Sequence, residues 1–216
     1  MQRVIVDPIQ PDLAALEPAA FMIRSGGIVA MPTDTLYGLA ADPFDTDAVA
    51  RIFAIKGRDA ARPLPLIAAD REQVAARIGL LSTMSQQLAA RFWPGPLTLL
   101  LAAPAGLADN VTGGTGTVGI RVPAHAVARA LCRICTSPLT ATSANLSGYT
   151  PLADPDEVER ALRDRIDVLI DAGPTPGGPS STIVDATGSS LRLVRAGAIA
   201  WPDILASVQG LPSRAG

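Results

Sequence analysis

The chain has 216 residues, 48% of them hydrophobic and 18% charged, with a formal net charge of −2. That length and apolar content support a packed core in one α/β domain and exclude a disordered chain. The acidic balance excludes a generally basic nucleic-acid coat.

Read in chain order, residues Met1 to Glu17 lack an apolar run behind a basic start, so no secretory leader is expected. Leu13, Leu16, Ala20, Phe21 and Ile23 repeat at helical spacing, and Gly26-Gly27 ends that helix. Ile28 to Met31 reads as a short buried strand stopped by Pro32. Asp45 or Thr46 caps a helix carrying Val49, Ile52 and Phe53 toward Lys56. A strand is expected over Leu64 to Ala69, then helices over Asp70 to Ile78 and Ser82 to Phe92. Trp93-Pro94-Gly95-Pro96 forms a rigid turn into a strand, Leu97 to Ala103, far shorter than the about 20 apolar residues that span a bilayer.

A Gly/Thr loop, Thr112 to Gly116, precedes a strand over Thr117 to Val122 and a helix over Ala124 to Cys135. A strand over Leu139 to Ser143, a polar loop from Asn145 to Pro151, and a helix opened by Asp154-Pro155 and Glu157 follow. Ile166 to Asp171, Thr182 to Asp185 and Leu191 to Arg195 are expected strands, and Asp203 to Val208 a closing helix. The elements interleave without strict βαβ alternation, which predicts a mixed α/β sheet. No composition break or internal repeat divides the chain, so one domain over 1–216 is expected, soluble and cytoplasmic.

Several patterns fail on context. Gly114-x-Gly116-x-x-Gly119 runs into a strand and Pro123 rather than a helix, so it is not a dinucleotide fingerprint. No Gly-Lys-Ser or Gly-Lys-Thr marks a phosphate loop. The only histidine, His125, has no G-x-S-x-G elbow to serve. Cys132-x-x-Cys135 lies inside a helical apolar pattern without a second pair, which favours buried structural thiols over a zinc or redox site.

Four polar clusters remain at predicted strand ends and loops: Pro32-Thr33-Asp34-Thr35-Leu36-Tyr37-Gly38; Lys56-Gly57-Arg58 with Arg62; Thr117 with Arg121; and Ser143-Ala144-Asn145 with Ser147, Gly148 and Thr150. Ser180-Ser181-Thr182 and Arg195 add later hydroxyls and a cation. Lys56 is the single lysine among eighteen basic residues, a compact charge in a chain that otherwise uses the arginine fork. Many hydroxyl donors and several cations suit a polyanionic ligand such as a nucleotide triphosphate. The residues alone do not name the reaction.

Taken in order, the motifs resemble those of the YrdC-type threonylcarbamoyl-AMP synthases. The resemblance rests on Ser25 to Leu39, Lys56-x-Arg58, Trp93 to Thr98, Thr117 to Pro123 with His125, Ser143-Ala144-Asn145-x-Ser147-Gly148, Ser181 to Asp185 and Arg195-x-Gly197. It runs from about Leu13 to Ile199. It implies a twisted mixed sheet with flanking helices and a concave, positively charged cavity, in a stand-alone short form. It implies an enzyme that turns L-threonine, bicarbonate or CO2, and ATP into threonylcarbamoyl-adenylate and pyrophosphate, with Mg2+ sharing the triphosphate charge. The product would feed a separate transferase system that modifies a tRNA adenosine.

By matching position, the resemblance implies that Thr35, Arg121, Ala141 and Ser181 hold threonine. It likewise assigns Lys56, Arg58, Thr117, Ser143, Asn145, Thr150 and Arg195 to ATP or the adenylate, with Lys56 and Arg58 as the catalytic cations. Arg62 stands where many relatives have Asn, and Ile67 where some have a threonine-holding His. The rival readings are an RNA-binding module, disfavoured by the net charge and by only 4% aromatic residues for stacking, and a carbamoyl-adenylate enzyme acting on a different substrate.

Overall fold

A computed structural model describes residues 1–57 and 62–208. In chain order these form β1 (Gln2–Ile5), α1 (Leu13–Arg24), β2 (Val29–Met31), β3 (Gly38–Ala40), α2 (Thr46–Lys56), β4 (Leu66–Ile67), α3 (Arg71–Arg77), α4 (Thr83–Phe92), β5 (Leu97–Ala102) and α5 (Asp109–Thr112). There follow β6 (Thr117–Arg121), α6 (Ala126–Ile134), β7 (Leu139–Thr140), β8 (Thr142–Ser143), α7 (Pro155–Leu162), β9 (Val168–Asp171), β10 (Thr182–Asp185), β11 (Arg192–Arg195) and α8 (Trp201–Val208).

The helices begin where a side chain satisfies their first amides. Asp12, Asp45, Asp70, Ser82 and Asp154 each accept from a backbone N–H one turn ahead. α2 stops at Gly57, whose left-handed φ of 57° closes the last turn.

The expected mixed α/β class is present, with its strands divided between two sheets. One has the order β1-β9-β2-β3-β8 and the other β11-β10-β5-β6-β4-β7. Both mix parallel and antiparallel pairs: β9 runs parallel to β1 and β2, whereas β3 is antiparallel to β2 and β8.

Alternate residues of β2 feed opposite cores. Ala30 packs with Leu39, Ile52, Leu97 and Leu169, while Val29 and Met31 pack with Leu16, Ile23, Val127 and Leu131 of α1 and α6. A strand covered on both faces reads as a continuous apolar run rather than an alternation. The first of these cores draws on both sheets, so the space between them is filled by one set of side chains.

Three departures from the sequence reading matter for the site. The expected strand over Leu64 to Ala69 shrinks to Leu66–Ile67, because Pro63 and Pro65 carry no N–H for a ladder. The expected strand over Leu139 to Ser143 breaks at Ala141. Its first half pairs with β4 in one sheet and its second with β3 in the other. β1, β3 and α5 were not expected; β3 is a three-residue strand at the end of a polar loop.

Candidate active site

The site forms where the two sheets separate around the crossing of the chain at Ala141. Pro32 ends β2, and the next residues fold into a hydroxyl-stabilised turn before β3. Thr33 Oγ1 donates to the Leu36 carbonyl at 2.7 Å and accepts from the Thr35 amide at 3.2 Å. It also lies 3.1 Å from Thr35 Oγ1, which fixes that hydroxyl on the cavity wall. The segment after β9 straps this turn from outside. The Gly177 amide donates to the Thr35 carbonyl at 2.7 Å, and the buried Tyr37 hydroxyl donates to the Gly173 carbonyl at 2.8 Å.

Opposite this turn, β6 delivers Arg121 at its last position, in register with Ile67 of β4. The Arg121 side chain is only 8% exposed, and Nη1 donates to Asp34 Oδ1 at 2.8 Å. Burial pulls the guanidinium below its ordinary value, and the Asp34 charge partly restores it. Asp34 Oδ2 is buried without a hydrogen-bond partner. His125, the residue before α6, has a buried and unpartnered Nδ1; desolvation lowers its pKa, against a smaller opposing pull from Asp34.

A second cation comes from β11. Arg195 Nη2 donates to the Ser181 carbonyl at 2.8 Å and to Ser181 Oγ at 3.2 Å. Its pKa is lowered first by burial and then by the positive charge of Arg121. Thr98 of β5, itself fully buried, meets Ser181 Oγ at 2.8 Å. The motif glycine two residues after Arg195 has a steric cause: a Cβ on Gly197 would run into the Ser180 carbonyl and the Ser181 backbone.

The third wall is β8 and the loop beyond it. The Lys56 ammonium, at the end of α2 and 3% exposed, donates to the Ser143 carbonyl at 2.6 Å, to Ser143 Oγ at 3.3 Å and to Asn145 Oδ1 at 2.7 Å. Ser143 Oγ also donates to Asn145 Oδ1 at 2.6 Å, and Asn145 Nδ2 holds the Tyr149 carbonyl. This charged network fixes the rim loop against α2.

Together these walls enclose a cavity of about 220 Å³. Of the residues singled out in the sequence, Thr35, Arg121, Ala141, Ser143, Ser181 and Arg195 line it. Lys56 and Asn145 adjoin it through Ser143 rather than lining it. Thr117 sits at the opposite end of β6 from Arg121, about 13 Å away at strand rise, with its hydroxyl 3.0 Å from Thr115 Oγ1. Thr150 is exposed beyond the rim loop, and Arg58 lies outside the described residues. Ile67 is buried on the cavity wall, whereas Arg62 is exposed and is not among the lining residues.

Sequence reasoning did not assign roles to Thr98 or Asp34. A buried threonine in an apolar strand and an aspartate in a turn both have ordinary structural uses, and only their contacts set them apart. Cys132 on α6 and Cys135, the residue that closes that helix, are free and buried. Burial raises both thiols, that of Cys135 to about 12, which fits packing rather than reactivity.

Two guanidiniums, one of them paired with Asp34, and several hydroxyls converge on one small cavity in a mixed α/β fold, the concave kind of place where small ligands are held. The chain belongs to the Sua5/YciO/YrdC family: the family model described as "Telomere recombination" matches residues 21–197. It is 39% identical over 194 residues to the threonylcarbamoyl-AMP synthase of Pyrococcus abyssi, covering 90% of this chain and 54% of that one. It is 38% identical over 205 residues to the Bacillus subtilis threonylcarbamoyl-AMP synthase, covering 94% of this chain and 59% of the relative. This chain therefore spans little more than half the length of those two proteins. The fold superposes on the crystal structure of P. abyssi Sua5 complexed with L-threonine with a TM-score of 0.90 at 36% identity, covering 97% of this chain and 61% of the other.

Proposed function

We propose that this protein is a nucleotidyltransferase that makes L-threonylcarbamoyl-adenylate from L-threonine, bicarbonate or CO2, and ATP, releasing pyrophosphate. The observation that carries the reading is the cavity that gathers Arg121, Thr35, Ser181 and Arg195. At about 220 Å³ it falls below the roughly 300–1,000 Å³ of sites for drug-sized ligands. It suits an amino acid, with a nucleotide extending past its mouth. The likeness to a threonine-bound relative supports the same choice.

In this reading the guanidinium of Arg121 takes the threonine carboxylate, since Asp34 occupies one nitrogen of the fork. Thr35 or Ser181 meets the threonine hydroxyl, and the backbone at Ala141 lines the same pocket. A site built to hydrogen-bond that hydroxyl rejects analogues lacking it. The threonine amine adds to the carbon of CO2 and loses a proton, giving a carbamate. A carbamate oxygen attacks the α-phosphorus of ATP in line, and the bond to the bridging oxygen breaks to release pyrophosphate. The protein's part is positioning and charge neutralisation. Arg195 and Ser143 would face the adenylate, and Lys56 and Asn145 would bring charge and hydrogen bonds to its edge through the rim loop, with Arg58, Thr117 and Thr150 assigned to the nucleotide by motif position.

Among the described residues no group of three His, Cys, Asp or Glu side chains is placed to hold a metal ion. In this reading Mg2+ arrives with the triphosphate and shares its charge. The described residues also contain no helix long and apolar enough to cross a membrane. We read the chain as a single cytoplasmic domain whose product passes to a tRNA-modifying transferase. Pyrophosphate release measured with each of threonine, bicarbonate and ATP omitted in turn tests the reading. The expected rate falls to background in all three omissions; release that persists without threonine would refute it.

A further inference from the structure

Asp34 has no role in the reaction as proposed, yet its surroundings are costly. Its side chain is 12% exposed, one oxygen is bound to Arg121 at 2.8 Å, and the other is buried with no partner. A carboxylate satisfied on one side only gains little stability from its burial, so such a group calls for another explanation. Asp34 does not line the cavity, whereas its neighbours Thr33 and Thr35 and its partner Arg121 do. Its contact with Arg121 is therefore made outside the lining of the ligand space. An unpartnered arginine fork can swing about its long stem; one pinned at Nη1 presents its remaining edge in one direction.

We infer that Asp34 is the positioning residue for Arg121: it anchors Nη1 so that the rest of the fork is held toward the carboxylate of an amino-acid substrate. This rests on the threonine reading above and adds a residue that acts only through Arg121. The turn supplies the rigidity the role needs, because Thr33 Oγ1 reaches across Asp34 to the Thr35 amide and the Leu36 carbonyl.

The test is threonine-dependent pyrophosphate release by Asp34→Asn, with KM determined separately for threonine and ATP. The expected result is a threonine KM raised about tenfold or more, as for loss of a charged hydrogen bond, with ATP KM and kcat little changed. Asp34→Asn is then made in an Arg121→Gln background, where both charges are gone and the buried imbalance is removed. There it should add nothing further to the threonine KM. Asp34→Glu, which keeps the charge but displaces it, serves if the asparagine variant fails to fold; it should raise the threonine KM and leave that for ATP. A merely structural Asp34 would lower the melting temperature with both KM values unmoved, and this would overturn the inference. An equal increase in the Arg121→Gln background would overturn it too. A wild-type protein without threonine-dependent turnover would instead sink the underlying reading.

Discussion

The site contains two buried cations with opposite arrangements. Arg121 lines the cavity and is paired with a carboxylate, while Lys56 lies behind the wall and donates to three oxygens of Ser143 and Asn145. The first can meet a ligand directly, and its charge is partly balanced by Asp34. The second shapes the loop that forms the rim and carries its positive charge to the edge of the site. Burial by itself therefore does not say which cation touches substrate; the identity of its partners does.

The largest way to break this contrast is Lys56→Ala. It is expected to reduce threonine-dependent pyrophosphate release by about 100-fold or more, on the scale of losing one preorganised donor. Because the ammonium holds the rim loop, the same change should lower stability by about 2 kcal/mol, or roughly 4–8 °C in Tm. A mutant with normal Tm and lost activity would make Lys56 a pure ligand contact. Arg121→Ala comes next: the threonine KM should rise about 10- to 100-fold while the ATP KM stays nearly constant. Equal increases in both would remove the distinction between the two cations. Ser181→Ala removes a hydroxyl tied to both Arg195 and Thr98 and should cost about three- to tenfold in threonine KM.

The smallest effect concerns His125. Its folded pKa lies below the ordinary 6.5, so the unfolded chain takes up a proton first as the pH falls. Its contribution to stability is present above about pH 6.5 and is lost on acidification below that value. Thermal melts at pH 7 and 5 should show a smaller drop for His125→Gln than for the wild type. An identical drop would mean that His125 is not desolvated as described.

The motif residues that line the cavity were legible because their order along the chain is specific, and the starts of α2 and α7 were legible from the capping aspartates Asp45 and Asp154. Other features were written only in three dimensions. The run Leu139 to Ser143 contains no Gly or Pro to mark a break, so its transfer between sheets at Ala141 could not be read from periodicity. Gly38–Ala40 follows a polar turn and is too short to show a period. Lys56 was conspicuous by composition, but its acceptors lie 87 and 89 residues away in sequence, so its burial was hidden. Asp34 was hidden for the same reason, since its partner is 87 residues distant.

The central claim is tested most directly by following labelled bicarbonate in the presence of ATP and threonine and identifying the product by mass. The account predicts label in a threonylcarbamoyl-adenylate, formed in step with pyrophosphate and strongly reduced in Arg121→Ala at low threonine. Label-free adenylate, or product formation indifferent to threonine, would contradict it.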